Sequence, residues 1–202
     1  MRKGEVTRQT ILNKAVGLAS QFGLEGLSIG GLASGLNLSK SGLFAHFQSK
    51  EALQMQVLDA AAMVFVESVI RPALKEPRGE PRIRGLFENW LKWAHSKNNP
   101  GGCIFVAAAA ELDDRPGPVR EHLLRISKDW LNTRVRIGMT GVETGFFRPN
   151  TDTEQFAHDL YGIMLAYHHA ARLLRDNKAE IRARNAFENL LALSKSPKGV
   201  SI

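Results

Sequence analysis

Apolar positions in this chain recur at helical spacing along almost its whole length, and no segment shows the alternation of a credible strand. In residues 7–22, Ile11, Ala15, Leu18 and Phe22 mark one helix face, and Gly23 follows where a helix-closing glycine belongs. Ser28 caps a short helix with Ile29, Leu32, Ala33 and Leu36 on one side. Asn37, a residue that tolerates the left-handed conformation, breaks it, and Leu38 plugs the turn. Ser39 then caps a second short helix anchored by Leu43 and Phe47. Ser49 opens a long helix through Leu53, Val57, Ala61 and Val64 that fades near Arg71 and Pro72. A loop over 77–81 leads to a helix over 82–97, with Ile83, Leu86, Phe87, Trp90, Leu91 and Ala94 on a broad apolar face. Asn98 to Gly102 break the chain before an apolar, buried helix over 103–112. Further helices are predicted over 119–144, 153–175 and 179–194, with a frayed tail from Lys195 to Ile202. The fold class is therefore all-α.

The stretch from Ser28 to Phe47 reads as helix, short turn, helix. A short helix with a buried stripe and a small, cationic outer face suits the major groove of DNA. The run that supplies it is Ser39-Lys40-Ser41-Gly42-Leu43-Phe44-Ala45-His46-Phe47-Gln48-Ser49-Lys50-Glu51-Ala52-Leu53.

This run resembles the N-terminal signature of the TetR-type transcriptional regulators, Ser-Lys-x-x-Leu-Tyr-x-His-Phe-x-x-Lys-Glu-x-Leu. The resemblance covers residues 7–55, about a quarter of the chain. Asn37 stands where the family usually has glycine, and Phe44 where it has a tyrosine whose hydroxyl commonly meets a phosphate. Gly30, Gly31 and Gly35 weaken the second helix, by roughly 1 kcal/mol each relative to alanine. The resemblance implies an N-terminal DNA-binding head over 1–50, a helical ligand-binding and dimerisation body over 51–195, and a tail over 196–202. The expected DNA-binding residues are Ser28, Ser39, Lys40, Ser41, Gly42, Phe44, His46 and Lys50. Lys40, Ser41 and Gly42 are placed nearest the bases, and His46, Lys50 and Ser28 at phosphates. Lys50 sits in the first turn of its helix, where a cation opposes the dipole, so a phosphate partner would account for it.

Charge supports a polyanion-binding head. The chain has a net charge of +7; residues 1–50 hold six Lys/Arg against two acids, and the rest holds 21 against 18. A quarter of the chain thus carries more than half of the excess. A single cysteine, Cys103, excludes an intrachain disulfide and points to a reducing compartment. No segment resembles a signal peptide, and the apolar run 103–110 is too short to span a bilayer, so a cytoplasmic protein with no membrane partner is expected. Enzyme chemistry has no foothold: there is no Gly-x-Ser-x-Gly, no Walker-type loop and no His-Glu-x-x-His. No cofactor is called for. His168 and His169 point about 100° apart on a helix, and His158 is three turns from His169, so no metal site is expected.

In the body, Trp90, Trp93, Phe105, Trp130, Met164 and Tyr167 are candidates to line a pocket for a small, mostly apolar effector; filling a helical core is the other reading. Glu111, Asp113 and Asp114 suggest either a cationic ligand or a solvated helix end. The last two helices offer a homodimer interface through Leu160, Gly162, Ile163, Ala166, Ala171, Leu174, Phe187, Leu190 and Leu191. The expected function is a ligand-responsive repressor that binds a palindromic double-stranded DNA operator as a dimer. The alternatives are a helical DNA-binding protein without an effector, and an enzyme with a helical body.

Overall fold

Ten α-helices carry nearly all of the described chain: α1 (Lys3–Phe22), α2 (Ile29–Gly35), α3 (Lys40–Phe47), α4 (Lys50–Phe65), α5 (Arg71–Lys75), α6 (Glu80–Ala94), α7 (Ile104–Leu112), α8 (Pro118–Glu143), α9 (Thr153–Arg172) and α10 (Ala179–Ser194). They are seen in a computed structural model that describes residues 3–36 and 38–197, with side chains from residue 8 onward except those of Asn37, Lys40 and Phe44. The only β pairing among the described residues is one bridge between Phe147 and Lys195.

Capping explains most of the boundaries. The Ser28, Ser39 and Ser49 hydroxyls accept the N–H groups of Gly31, Gly42 and Ala52 at 2.9–3.0 Å, which fixes the starts of α2, α3 and α4. Asp152 does the same for α9, accepting from Glu154 and Gln155. Gly23 has φ +76° and closes α1 through its N–H to the Ala19 carbonyl at 2.9 Å. Pro72 lacks the donor that would continue α4, and the helix widens into a π turn at Val66–Ile70 before α5 resumes.

The chain gathers into two compact units, Met1–Glu67 with Lys92–Ser127, and Ser68–Leu91 with Lys128–Ile202. In the first, α1, α2, α3 and α4 close over Ile11, Ala15, Leu24, Leu27, Leu43, Phe47, Leu53 and Val57, all nearly inaccessible to solvent. Each of the larger side chains among them contributes roughly 1.5–3 kcal/mol on burial. The loop at 98–102 lies backbone-on-backbone against α1: a Cβ on Gly101 would fall 1.6 Å from the Ser20 carbonyl oxygen. In the second unit, Phe87 stacks on Phe187 at 4.2 Å and Phe147 packs on Phe156 at 4.8 Å. There α6 and α10 are laced by crossed ion pairs, Arg84 to Glu188 and Arg184 to Glu88.

Several sequence expectations are corrected. Phe22 is 66% exposed; Leu12, Val16 and Ala19 complete the α1 stripe instead. Val64 is exposed on α4. The almost wholly apolar α7 buries only Ile104, Ala108 and Leu112, one residue per turn, while Ala109 and Ala110 face solvent. α6 starts at Glu80, inside the expected loop, and α9 ends at Arg172. The start of the tail is held rather than frayed: the Ser196 N–H donates to the Phe146 carbonyl and the Arg148 N–H to that of Ser194, each at 3.0 Å. Residues 198–202 lie outside the described residues.

Candidate functional site

The helix pair α2–α3 is built so that one face is sealed and the other is left open. Leu32 and Ala33 on α2, and Leu43 and Phe47 on α3, are buried. The connection closes through the Leu36 and Leu38 N–H groups, both donating to the Ala33 carbonyl, at 3.3 and 2.9 Å. Asn37, expected to break the helix there, lies outside the described residues. With Leu43 and Phe47 fixed inward, helical geometry turns Ser41, Gly42 and Ala45 outward, and all three are exposed. The Ser39 hydroxyl caps α3 and lies 3.2 Å from that of Ser41. A Cβ on Gly42 would sit 3.0 Å from the Ser39 hydroxyl, so the glycine keeps this first turn shallow. His46 is half-buried beside the Phe47 ring. Lys40 and Phe44 lie on α3, but their side chains are outside the described residues.

The turn between α1 and α2 is tied down by a polar network that sequence reasoning missed. The Glu111 carboxylate on α7 accepts the Leu24 and Glu25 N–H groups, both at 2.7 Å. Charge-assisted bonds of this kind are about twice as strong as neutral ones. Gly23 leaves room for it, since a Cβ there would meet a Glu111 carboxylate oxygen at 2.8 Å. Glu111 is therefore occupied within the chain, while Asp113 and Asp114 are exposed at the end of α7. A signal existed: a carboxylate in the last turn of a helix opposes the helix dipole and asks for a donor elsewhere. Glu25 in turn accepts from the Lys50 ammonium at 2.8 Å and from Gln54 at 3.1 Å, and these bonds hold its carboxyl below the usual glutamate range. Gln54 also donates to the Leu24 carbonyl at 2.9 Å. Lys50 thus has a carboxylate partner before any phosphate is considered, although the pair stands more than 40% in solvent. Ser28 is exposed at the start of α2.

The expected effector-lining residues fall into separate groups. In the first unit, Trp93 meets Phe65 edge-on at 5.3 Å and lies nearly parallel to Phe105 at 6.5 Å. In the second, Trp90 meets Tyr167 edge-on at 5.8 Å, and Met164 is fully buried. Burial pushes the Tyr167 hydroxyl up to about 12. Trp130 belongs to another group, with the Arg134 guanidinium 4.9 Å over its ring and 4.3 Å over that of Tyr161. Cys103 is buried, and burial pushes its thiol up, which leaves it a poor nucleophile.

Along α9 and α10 the expected interface residues divide by burial. Leu160, Phe187 and Leu191 lie in the chain's own core, and Leu190 is 8% exposed. Gly162 and Ala166 are exposed, Ile163 and Ala171 half-buried, and Leu174 exposed. Gly162, Ile163, Ala166 and Leu190 line an open, largely apolar groove of about 690 Å³ between the two helices. No helix among the described residues is long and apolar enough to cross a membrane.

Comparison with known proteins agrees with this geometry at both ends of the chain. Residues 11–54 match the family described as bacterial regulatory proteins, tetR family, and residues 79–187 match the tetracyclin repressor-like C-terminal domain. The HTH-type transcriptional repressor DhaR of Mycobacterium sp. strain GP1 is 26% identical over 141 residues, 70% of each protein. A TetR transcriptional regulator from Chloroflexus aurantiacus J-10-FL superposes with a TM-score of 0.77 at 26% identity, covering 95% of this chain and 96% of its own. AibR, solved in complex with isovaleryl coenzyme A and operator DNA, shares the fold with a TM-score of 0.70 at 19% identity, over 94% of this chain and 98% of its own. The C-terminal match alone spans more than half of the chain, and with the N-terminal match it makes this protein a member of the TetR family of DNA-binding transcriptional regulators.

Proposed function

We propose that this regulator is a repressor that binds a two-fold symmetric operator as a homodimer and leaves it when a small molecule occupies its body. The observation that carries the reading is the open face of α3: small polar and backbone groups, Ser41 and Gly42 among them, stand outward on a helix locked from behind by Leu43 and Phe47. In the complex α3 enters the major groove, with Lys40, Ser41 and Gly42 at base edges and Ser28, Ser39, His46 and Lys50 toward the backbone. Phe44, without a tyrosine hydroxyl, contributes apolar contact only. The excess positive charge of residues 1–50 supplies the sequence-independent part of the affinity.

Dimerisation through α9 and α10 places Gly162, Ala166 and the groove beside them against a second copy. This sets two recognition helices about 34–36 Å apart, or a multiple of a helical turn. The effector, small and mostly apolar, binds at one of the separate groups of the body: Trp93 with Phe105 in the first unit, or Trp90 with Met164 and Tyr167, or Trp130, in the second. It acts only through its difference in affinity for the DNA-competent and DNA-incompetent states, typically worth about 1–3 kcal/mol, and operator DNA weakens its binding by the same factor. AibR, which takes both operator DNA and an acyl thioester, is a precedent for one such fold holding both.

Selection of bound duplexes from a random pool tests the reading. A palindromic consensus is the expected result; a pool that remains random under low-salt selection overturns it.

A further inference from the structure

Arg134 is an unusual residue to find inside this protein. It lies on α8, is only 4% exposed, and its Nε and Nη1 atoms are buried with no hydrogen-bond partner among the described residues. Its two ring neighbours, Trp130 one turn earlier on α8 and Tyr161 on α9, flank the guanidinium at 4.9 and 4.3 Å. Aromatic faces offset part of the loss of water around a cation, but they supply no acceptor for its N–H groups. No described carboxylate is paired with Arg134. Burial pulls the guanidinium down to about 10, which still leaves it protonated near neutral pH. A buried cation without a counter-charge is strongly unfavourable unless something completes it.

We infer that Arg134, held between Trp130 and Tyr161, is the anchor for a small carboxylate-bearing aromatic ligand between α8 and α9. A guanidinium presents two parallel N–H donors to a carboxylate, so the acid end is fixed in direction as well as in charge. The flanking rings then receive the apolar remainder of the molecule. A carboxylate on a docking protein surface does not fit, because the group is buried on all but 4% of its surface. His168 adds a second contact along the same stripe of α9. It lies seven residues beyond Tyr161, and its buried Nε2 also has no partner among the described residues. Burial lowers its basicity and keeps the ring neutral, able to donate or accept one hydrogen bond. Seven residues of helix rise about 10 Å, so a ligand of two-ring length reaches both groups.

This inference rests on the proposal that the body takes a small effector, and it names the chemistry of that effector. Benzoate and benzamide, equal in size and different in charge, are the probes. Thermal unfolding of the intact protein is followed with each, for the wild type and for Arg134→Met, which keeps the apolar stem and removes the cation. Benzoate at about five times its dissociation constant should raise the wild-type midpoint by roughly 2–4 °C, with benzamide giving no comparable rise. In Arg134→Met that difference should vanish, and the ligand-free variant should melt no lower than the wild type, because it has lost an uncompensated charge. A wild type that does not distinguish the two probes, or a variant that still does, overturns the inference. Operator affinity measured with and without benzoate separates the two claims. Binding through Arg134 that leaves operator affinity unchanged keeps the anion site and overturns the effector role.

Discussion

Around α2 and α3 the capping serines and Lys50 lie at the edge of solvent and each has a local bond, whereas in α8 the Arg134 guanidinium is carried into the interior with Nε and Nη1 lacking a hydrogen-bond partner among the described residues. Ser28, Ser39 and Ser49 each cap a helix, and Lys50 meets Glu25 at the surface. Arg134 has two aromatic faces and no carboxylate among the described residues. The difference separates two ways of recognising a negative ligand. An exposed set of hydroxyls and cations exchanges water for phosphate oxygens at small cost, which suits a polymer that must be scanned and released. A buried guanidinium is poised for one small anion and strongly prefers it to water.

The contrast predicts a gradient of effects. The largest belongs to the buried side of α3: Leu43→Ala, at a position with no accessible surface, should destabilise the first unit by about 3 kcal/mol and abolish operator binding with it. Urea denaturation gives the value, and a loss below 1 kcal/mol would mean that α3 is not anchored there. Glu111→Gln comes next. The amide keeps one acceptor but sets an NH2 against the second backbone donor, so a loss of about 2 kcal/mol is expected in the same assay. Ser39→Ala should cost about 1 kcal/mol through the lost cap, and part of that is regained by Ser39→Gly.

Acidification probes the body instead. His168 has its basicity lowered chiefly by burial, so the unfolded chain binds its proton first. The stability this group contributes is complete above about pH 6.5, the ordinary histidine value, and is lost as pH falls below it toward the folded value. A denaturation series between pH 7.5 and 5 (buffers chosen for equal ionic strength) should show this decline in the wild type and less of it in His168→Asn. The smallest effect is that of Lys50→Ala. Its ion pair with Glu25 is surface-exposed and worth under about 1 kcal/mol. If Lys50 also reaches a phosphate, the slope of log affinity against log salt falls by about one unit. An unchanged slope would confine Lys50 to its role beside Glu25.

What could be read from sequence follows the same division. Helix starts are local events, and a serine one residue before an apolar period is enough to place α2, α3 and α4. The outward side of α3 was legible for the same reason, since Leu43 and Phe47 are the residues that turn inward. Contacts made by distant chain segments were not legible. Glu111 binds a turn 86 and 87 residues away, and no periodicity announces the Leu24 N–H as its partner. Trp130 and Arg134 are one helical turn apart and visible as a pair, but the arrival of Tyr161 beside the guanidinium is a tertiary fact. The same limit applies to α9 and α10: an apolar residue such as Phe187 looks equally available to a second copy and to the chain's own core, where Phe87 in fact receives it.

The most direct test of the account's central claim, that the open face of α3 reads operator sequence, is to repeat the random-pool selection with Ser41→Ala beside the wild type. Ser41 is exposed and removed from the core, so the variant should fold and bind DNA. The account predicts a wild-type consensus with two symmetric half-sites, and a variant consensus in which preference weakens at one position of each half-site, in step, by about 1 kcal/mol or more. The same consensus from both proteins, or a change in one half-site only, would contradict it.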